Sequence, residues 1–132
     1  MSFDIFLHAF SNGEIASFRA QTLKEAFGPD AEFGPDFCQV SFPDDSGGDI
    51  YGADKPEISH LMFNHFGGDS FFAGLLELAR RTNGLIYWPS TPLSAVTTSQ
   101  EALTHVNREF LDAFEITIVE TVADFCIALG KA

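Results

Sequence analysis

Apolar and polar side chains alternate in several short stretches of the chain, as they do in β-strands that bury one face. In residues 3–10 the odd-numbered side chains form an apolar face and the even-numbered ones a mixed face. The mixed face carries Asp4, Phe6, His8 and Phe10. Residues 37–42, 48–54 and 58–66 are three further strand candidates separated by turn residues, and they predict an antiparallel meander.

Apolar residues recur at helical spacing in two stretches, which predict the main helices. Residues 18–27 form the first, and Ser17 is placed to cap its start. The second begins at Asp69 or Ser70, either of which can serve as its cap, and it closes at the Asn-Gly pair of residues 83–84.

The last third of the chain mixes short elements. Residues 85–89 form an unbroken apolar run, which predicts a strand covered on both faces. A connection rich in serine, threonine and proline follows at residues 89–99, and Thr98 with Glu101 forms a capping box for a short helix. The remaining predicted elements are a helical turn at 108–114, a strand at 115–120 and a last helix from Val122 to Gly130.

The order of these elements predicts a single α+β domain over residues 1–132, with one mainly antiparallel sheet and helices packed on one face. A ferredoxin-like core with an extra strand is the topology that this order favours. The 15 phenylalanines predict a core that is built largely from aromatic rings.

The charge of the chain is strongly negative, with 19 acids against 7 bases and a formal net charge of −12. Most of the excess lies between Glu25 and Asp69, where Lys55 is the single base. Such a field repels nucleic acid, which needs lysine and arginine to neutralise its phosphates. It attracts a basic protein, and the alternative is that the acidity serves solubility alone.

The segment FPDDSGGDIYGAD at residues 42–54 places four aspartates beside three glycines. A calcium-binding EF-hand loop needs a glycine at position 6 and a glutamate at position 12, and neither Asp44 nor Asp45 as first residue gives that spacing. Proline, aspartate, serine and glycine in this order are typical of a hairpin turn. We therefore predict a turn without a metal ion.

Known catalytic and metal-binding motifs are absent from the sequence, which favours a non-enzymatic protein without a cofactor. His60 and His65 are five residues apart, which on one continuous strand directs them to opposite faces. Cys38 and Cys126 lie in apolar patterns and are expected to be buried, reduced thiols. An active site assembled from scattered residues is the alternative.

A sheet with helices on one face leaves the other face with aromatic rings among acids and amides, which suits a protein-binding surface. The predicted partner-binding residues are His8, Phe10, Asp44, Asp45, Asp49, Tyr51 and Asp54. Two alternatives stay open. A further layer or a second subunit covers this face, or the protein is a small-molecule binder or small enzyme with a pocket near Tyr87 and Trp88.

The segments MSFDIFLHAF, FPDDSGGDIYG and LLELARRTNGLIYWP, all within residues 1–90, resemble those of a family of small uncharacterised bacterial proteins. That family has no assigned activity, so the resemblance implies no catalytic residue. Small acidic α+β immunity proteins offer an analogy, in which the protein neutralises or inhibits a basic protein partner. The sequence has neither a signal-peptide pattern nor a long apolar run, so we expect a cytoplasmic monomer or homodimer that does not enter a membrane.

Overall fold

The computed structural model describes residues 4–90 and 93–130 of the chain. Its strands are β1 (Ile5–His8), β2 (Phe10–Ser11), β3 (Glu14–Ile15), β4 (Glu32–Phe33), β5 (Gln39–Ser41), β6 (Gly47–Tyr51), β7 (His60–Gly67), β8 (Leu85–Trp88), β9 (Ser94–Thr97) and β10 (Glu115–Ile118). Its helices are α1 (Ala20–Phe27), α2 (Asp69–Thr82), α3 (Gln100–Leu103), α4 (Arg108–Ala113) and α5 (Val122–Ala128), and a short 3-10 turn spans Pro35–Phe37.

Eight of these strands form one sheet in the order β10-β9-β8-β1-β7-β6-β5-β4, while β2 and β3 pair separately as a small hairpin. β9 and β10 run parallel, and the other neighbouring strands of the sheet run antiparallel. The predicted α+β class with a mainly antiparallel sheet is therefore confirmed. The succession β1-α1-β6-β7-α2-β8 has the ferredoxin-like β-α-β-β-α-β form, to which each edge of the sheet adds two strands instead of the single extra strand expected.

The first face of the sheet is buried beneath α1, α2 and α5. Ile5 and Leu7 of β1 lie fully buried beside Phe63 and Leu61 of β7, as the alternation of residues 3–10 predicts for the part described. Phenylalanine dominates this core, whose rings belong to Phe27, Phe33, Phe42, Phe63, Phe66, Phe71, Phe72 and Phe125. Their offset and edge-to-face contacts supply much of the dispersion energy of the domain.

The second face of the sheet is covered only in part. Residues 100–113, which contain α3 and α4 and are called the cover segment below, pack on Leu85 and Ala95 of β8 and β9. Buried Phe10 and Val106 complete this smaller core. The rest of the second face, called the open half below, consists of the outward side chains of Phe6, Gln39, Ser41, Asp49, Tyr51, His60, Met62 and Asn64. Short helices thus lie on the second face in addition to the long helices expected on the first.

The long helices occur where the sequence predicts them, and α2 ends at Asn83 as expected, but the predicted N-terminal caps are wrong. The N-cap of α1 is Arg19, whose side chain has no acceptor for a capping bond, and the Ser17 hydroxyl instead donates to the Glu57 carboxylate at 2.9 Å. α2 begins after a glycine, and the Ser70 hydroxyl donates to Asp44 at 2.7 Å instead of capping the helix. Both serines connect the helix layer to distant loops.

Two local predictions in the last third of the chain are also wrong. β9 (Ser94–Thr97) lies within the segment that was expected to be a connection, of which residues 91–92 fall outside the described part of the chain. The cap of α3 is Ser99, whose hydroxyl accepts the Ala102 N–H at 3.0 Å, and not Thr98. β10 and α5 occur close to their predicted positions.

The two cysteines are free thiols, as expected, but the predicted burial is wrong for Cys38, which is exposed. Asp36 and Phe37 adopt left-handed conformations, so the strand alternation that would have buried Cys38 begins only after it. Cys126 is half-buried, and burial raises the pKa of its thiol, with Asp69 adding to the effect. No helix in residues 4–90 and 93–130 has the length and apolar character needed to span a membrane.

Candidate functional site

A row of large side chains crosses the second face from the open half into the covered part. Strand register places Tyr51 opposite Met62, Met62 opposite Phe6, and Phe6 opposite Tyr87. The rings of Phe6 and Tyr87 stack with centroids 5.2 Å apart. Tyr51, at the outer end of the row, is 44% exposed, an unusual exposure for an aromatic side chain on a sheet. The uncovered part of the row, formed by Tyr51, Met62 and Phe6, is an apolar strip that crosses β6, β7 and β1.

A polar row lies beside it, formed by Gln39, Asp49 and Asn64 on adjacent strands. The register of β6 and β7 shifts by one residue next to this row, which is the mark of a β-bulge. Within the bulge His65 adopts a left-handed conformation with φ of 50°, and its Nδ1 lies 3.0 Å from an Asp49 carboxylate oxygen. The bulge turns His65 toward the second face, so the expectation that it opposes His60 is wrong.

Two histidines form a stack at the border between the open half and the cover segment. The rings of His8 and His60 are nearly parallel, with centroids 4.9 Å apart. Nδ1 of His8 is buried and has no hydrogen-bond partner among the described residues. Burial lowers the pKa of His8 to about 4, and the neighbouring His60 contributes in the same direction. His8 is therefore neutral at physiological pH.

Phe10 and the rings of the cover segment close over His8 from one side. The centroid of Phe110 lies 5.1 Å from those of both His8 and Phe10, and the ring of Phe114, the residue that follows the cover segment, lies 4.8 Å from that of Tyr87. Phe10 is only 1% exposed. Of the two predicted partner-binding residues on this border, Phe10 is thus out of reach of a partner while the cover segment is in place, and His8 is half-buried.

The acidic loop at residues 42–46 is the turn between β5 and β6, as predicted. Asp44 accepts three hydrogen bonds, from the Ser46 backbone N–H at 3.0 Å, from the Ser46 hydroxyl at 2.6 Å and from the Ser70 hydroxyl at 2.7 Å. These bonds, led by that of the Ser46 hydroxyl, lower the pKa of Asp44 to about 2. Asp44 thus joins the turn to α2, while Asp45, with φ of 68°, has an exposed side chain.

We expect Asp44→Asn to lower the thermal unfolding midpoint by several degrees at pH 7, because the amide replaces one of the accepting oxygens. The folded-state pKa of Asp44 lies below its ordinary value, so its stabilisation is present above about pH 4 and is lost as the pH falls toward 2. The midpoints of the parent and Asp44→Asn should therefore converge in acid. Asp45→Asn is the matched control, since asparagine tolerates the left-handed conformation. Equal midpoints for both variants at pH 7 would contradict this role.

Basic side chains are concentrated away from the sheet. No strand in the described part of the chain carries a lysine or arginine. Lys24, Arg80 and Arg81 belong to α1 and α2 on the first face, where Arg81 pairs with Glu77 at 2.9 Å. The loop after β6 contains one base, Lys55, next to the exposed Asp54. The open half therefore presents one carboxylate, that of Asp49, together with amides and rings, and it has no lysine or arginine.

The aromatic pair Tyr87 and Trp88 lies in packed surroundings. Trp88 is 5% exposed and belongs to the main core, with its ring 6.3 Å from that of Phe125. The ring of Tyr87 contacts those of Phe6 and Phe114, and burial raises the pKa of its hydroxyl.

No group of three or more histidine, cysteine, aspartate or glutamate side chains is arranged to hold a metal ion within residues 4–90 and 93–130.

Comparison of the chain with protein-family models, with curated proteins and with solved structures gives no match in any of the three. The resemblance to a bacterial family therefore stays a prediction. The function has to be inferred from the geometry of the second face.

Proposed function

We propose that the protein is a non-enzymatic interaction module of the cytoplasm that binds a basic protein through the open half of its sheet, in the manner of an immunity or inhibitor protein. One observation carries the proposal: the helices bury the first face of the sheet except at its edge strands, whereas the cover segment protects only part of the second face. The uncovered part combines aromatic rings with the Asp49 carboxylate, has Asp45 and Asp54 in the loops at its rim, and lacks lysine and arginine on its strands. This composition suits a basic partner.

Tyr51 is the expected anchor of the interface. It lies at the rim of the apolar row with Met62 directly opposite on β7, so a partner side chain that packs on Tyr51 also buries Met62. Large aromatic side chains with an adjacent apolar neighbour are the usual energetic centres of interfaces. Asp49 and Asp54 would act differently, by attracting the partner over distances of about 8–10 Å before contact.

The open half alone is too small to form a stable interface. Four strands spaced by about 4.8 Å and about five residues of about 3.3 Å each give a flat area of roughly 300 Å². A stable interface buries roughly 800 Å² on each partner. The rims at residues 42–46 and 52–57 must therefore contribute, and they hold Asp45 and Asp54.

The test uses the immobilised protein and an extract of cells that produce it, at low and moderate salt. We expect a basic protein to be retained by the parent, and Tyr51→Ala to weaken its binding about thirtyfold, mainly through faster dissociation. Ile127→Ala is the matched control, because Ile127 is 66% exposed but belongs to α5 on the first face.

Steering by charge is tested separately with the triple variant Asp45→Asn, Asp49→Asn and Asp54→Asn, which leaves Asp44 and its hydrogen bonds intact. We expect slower association, nearly unchanged dissociation and a weaker dependence of the on-rate on salt. If no basic protein is retained, or if Tyr51→Ala and Ile127→Ala bind equally well, the open half is not the binding site.

A further inference from the structure

The cover segment is attached to the rest of the protein by few polar contacts. The Gly13 N–H donates to the His105 carbonyl at 2.9 Å, and the Asn107 amide donates to the Gly13 carbonyl at 3.4 Å. Its ion pairs, Arg108 with Asp112 and Glu101 with His105, are internal to the segment. No ion pair among the described residues joins it to the sheet. Its attachment therefore depends on a few hydrogen bonds and on ring packing.

A third hydrogen bond between the cover segment and the turn at residues 12–13 has a histidine nitrogen as its acceptor. The Asn12 N–H donates to Nδ1 of His105 at 3.0 Å, so that nitrogen carries no proton in the attached state. Nε2 of the same ring lies 3.3 Å from a Glu101 carboxylate oxygen and is the nitrogen that donates. His105 thus links the cover segment to the turn at residues 12–13 through its side chain as well as its carbonyl.

The ring packing involves a second histidine, His8, whose burial favours the neutral form. Phe110 of α4 lies on the ring of His8, whose buried Nδ1 has no partner that could stabilise a cation. The titratable side chains that face His8 are His60 from β7 and Tyr87 from β8, and neither supplies a negative charge at neutral pH. From α4 the ring of Phe110 faces His8, and from β2 that of Phe10. The charged residues of α4 are exposed, namely Arg108, Glu109 and Asp112.

We infer that the cover segment is an acid-releasable cover: protonation of His8 detaches residues 100–113 and extends the open half over β8 and β9. The side chains uncovered by release are Phe10, Leu85, Tyr87 and Ala95. The role of this release in binding rests on the proposed function, because the enlarged apolar surface would serve the same partner. The release itself concerns the free protein and can be measured without a partner.

Linkage fixes the direction of the effect. The pKa of His8 is about 4 in the covered state and returns toward 6.5 when the ring meets water. The contribution of neutral His8 to the free energy that favours the covered state is therefore fully present above about pH 6.5. It is lost as the pH falls toward 4. For a fully expressed shift, the released population rises about thirtyfold between pH 7.5 and 5.0. Since His8 is only half-buried, solvent weakens the effect of burial, and we expect the released population to rise about tenfold.

Hydrogen exchange of the free protein at pH 7.5 and 5.0, corrected for the intrinsic effect of pH on exchange, measures the release. We expect protection of residues 102–113 to fall about tenfold at pH 5.0, while α2 keeps its protection. His8→Phe retains an aromatic ring without a titrating nitrogen and should reduce the change to less than about threefold. His65→Gln is the matched control, because His65 pairs with Asp49 on the same face, and it should behave like the parent.

Three results would overturn the inference: a change of less than about twofold in the parent, an equal loss of protection in α2, or an unchanged pH response in His8→Phe. If His8→Phe does not fold, His8→Leu with the same measurement replaces it. Each of the two proposals can be contradicted without the other. Release without any partner binding at either pH contradicts the proposed function alone, whereas binding at pH 7.5 without release in acid contradicts the acid-releasable cover alone.

Discussion

Replacing Phe71 by alanine is expected to lower the free energy of unfolding by about 4 kcal/mol, because it empties the centre of the aromatic core. The side chain of Phe71 is fully buried. Its ring contacts four others, those of Phe27, Phe63, Phe66 and Phe72, at centroid distances of 5.8, 5.6, 5.8 and 5.7 Å. These rings come from α1, from β7 and from α2, so they cannot all move inward together to fill the space. Urea unfolding followed by circular dichroism measures the loss.

Two variants show whether the loss arises from the cavity. Phe71→Leu keeps most of the volume and should cost about 1.5 kcal/mol. Ile127→Ala removes an exposed side chain of the same protein and should change the free energy of unfolding by less than about 0.5 kcal/mol. A cost below about 2 kcal/mol for Phe71→Ala would mean that the neighbouring rings collapse into the cavity, contrary to the packing described.

Gly68→Ala should cost about 3 kcal/mol, the second largest effect that we expect. Gly68 precedes α2 with φ of 96°, a conformation that alanine rarely adopts. A methyl group there would lie 2.0 Å from Cβ and 2.8 Å from Cα of Ser46, so the backbone of the turn has to move. That movement also disturbs the hydrogen bonds that Asp44 accepts from Ser46 and Ser70. The unfolding midpoint in urea is again the measurement.

The neighbouring glycine supplies a closely matched control. A Cβ atom on Gly67 would have no atom within 4 Å, and no left-handed conformation is required there. Gly67→Ala should therefore unfold within about 0.5 kcal/mol of the parent. Similar costs for Gly67→Ala and Gly68→Ala would show that the junction between the turn and α2 tolerates both substitutions, and that its close contact is not maintained in solution.

Strand alternation predicts the fold well where one face of a strand is buried by apolar side chains. The alternation of residues 3–10 gives the correct faces for Ile5 and Leu7 because burial imposes a period of two on the sequence. The prediction from alternation fails for β9, where Thr97 is completely buried although it is polar. The Thr97 hydroxyl donates to the Gly84 carbonyl at 3.3 Å, so a buried position is filled without leaving an apolar signal.

Much of the candidate site could not be predicted because it depends on long-range packing. His65 reaches the second face through a bulge, and an inserted residue leaves no periodic signal in a single sequence. The Gly-Gly pairs at 47–48 and 67–68, which flank the register shift, are the one local sign of irregular pairing. Asp44 was expected to attract a partner, but its carboxylate accepts hydrogen bonds from the hydroxyls of Ser46 and Ser70. Ser70 is 26 residues away in the sequence, so this contact has no local signal. The outward position of Tyr51 and Asp49, by contrast, follows directly from alternation.

The central position of β1 has a consequence for the synthesis of the protein. β1 pairs with β7 on one side and β8 on the other, so its two neighbours are made long after it. At ribosomal rates of about 5–20 residues per second, the roughly 80 residues from His8 to Trp88 take about 4–16 s to appear. Ile5 and Leu7 have no neighbouring strand until β7 is made, and they have only one until β8 follows. In the nascent chain β1 is therefore an incompletely paired apolar strand until β8 has left the ribosome, and the middle of the sheet is among the last parts to close.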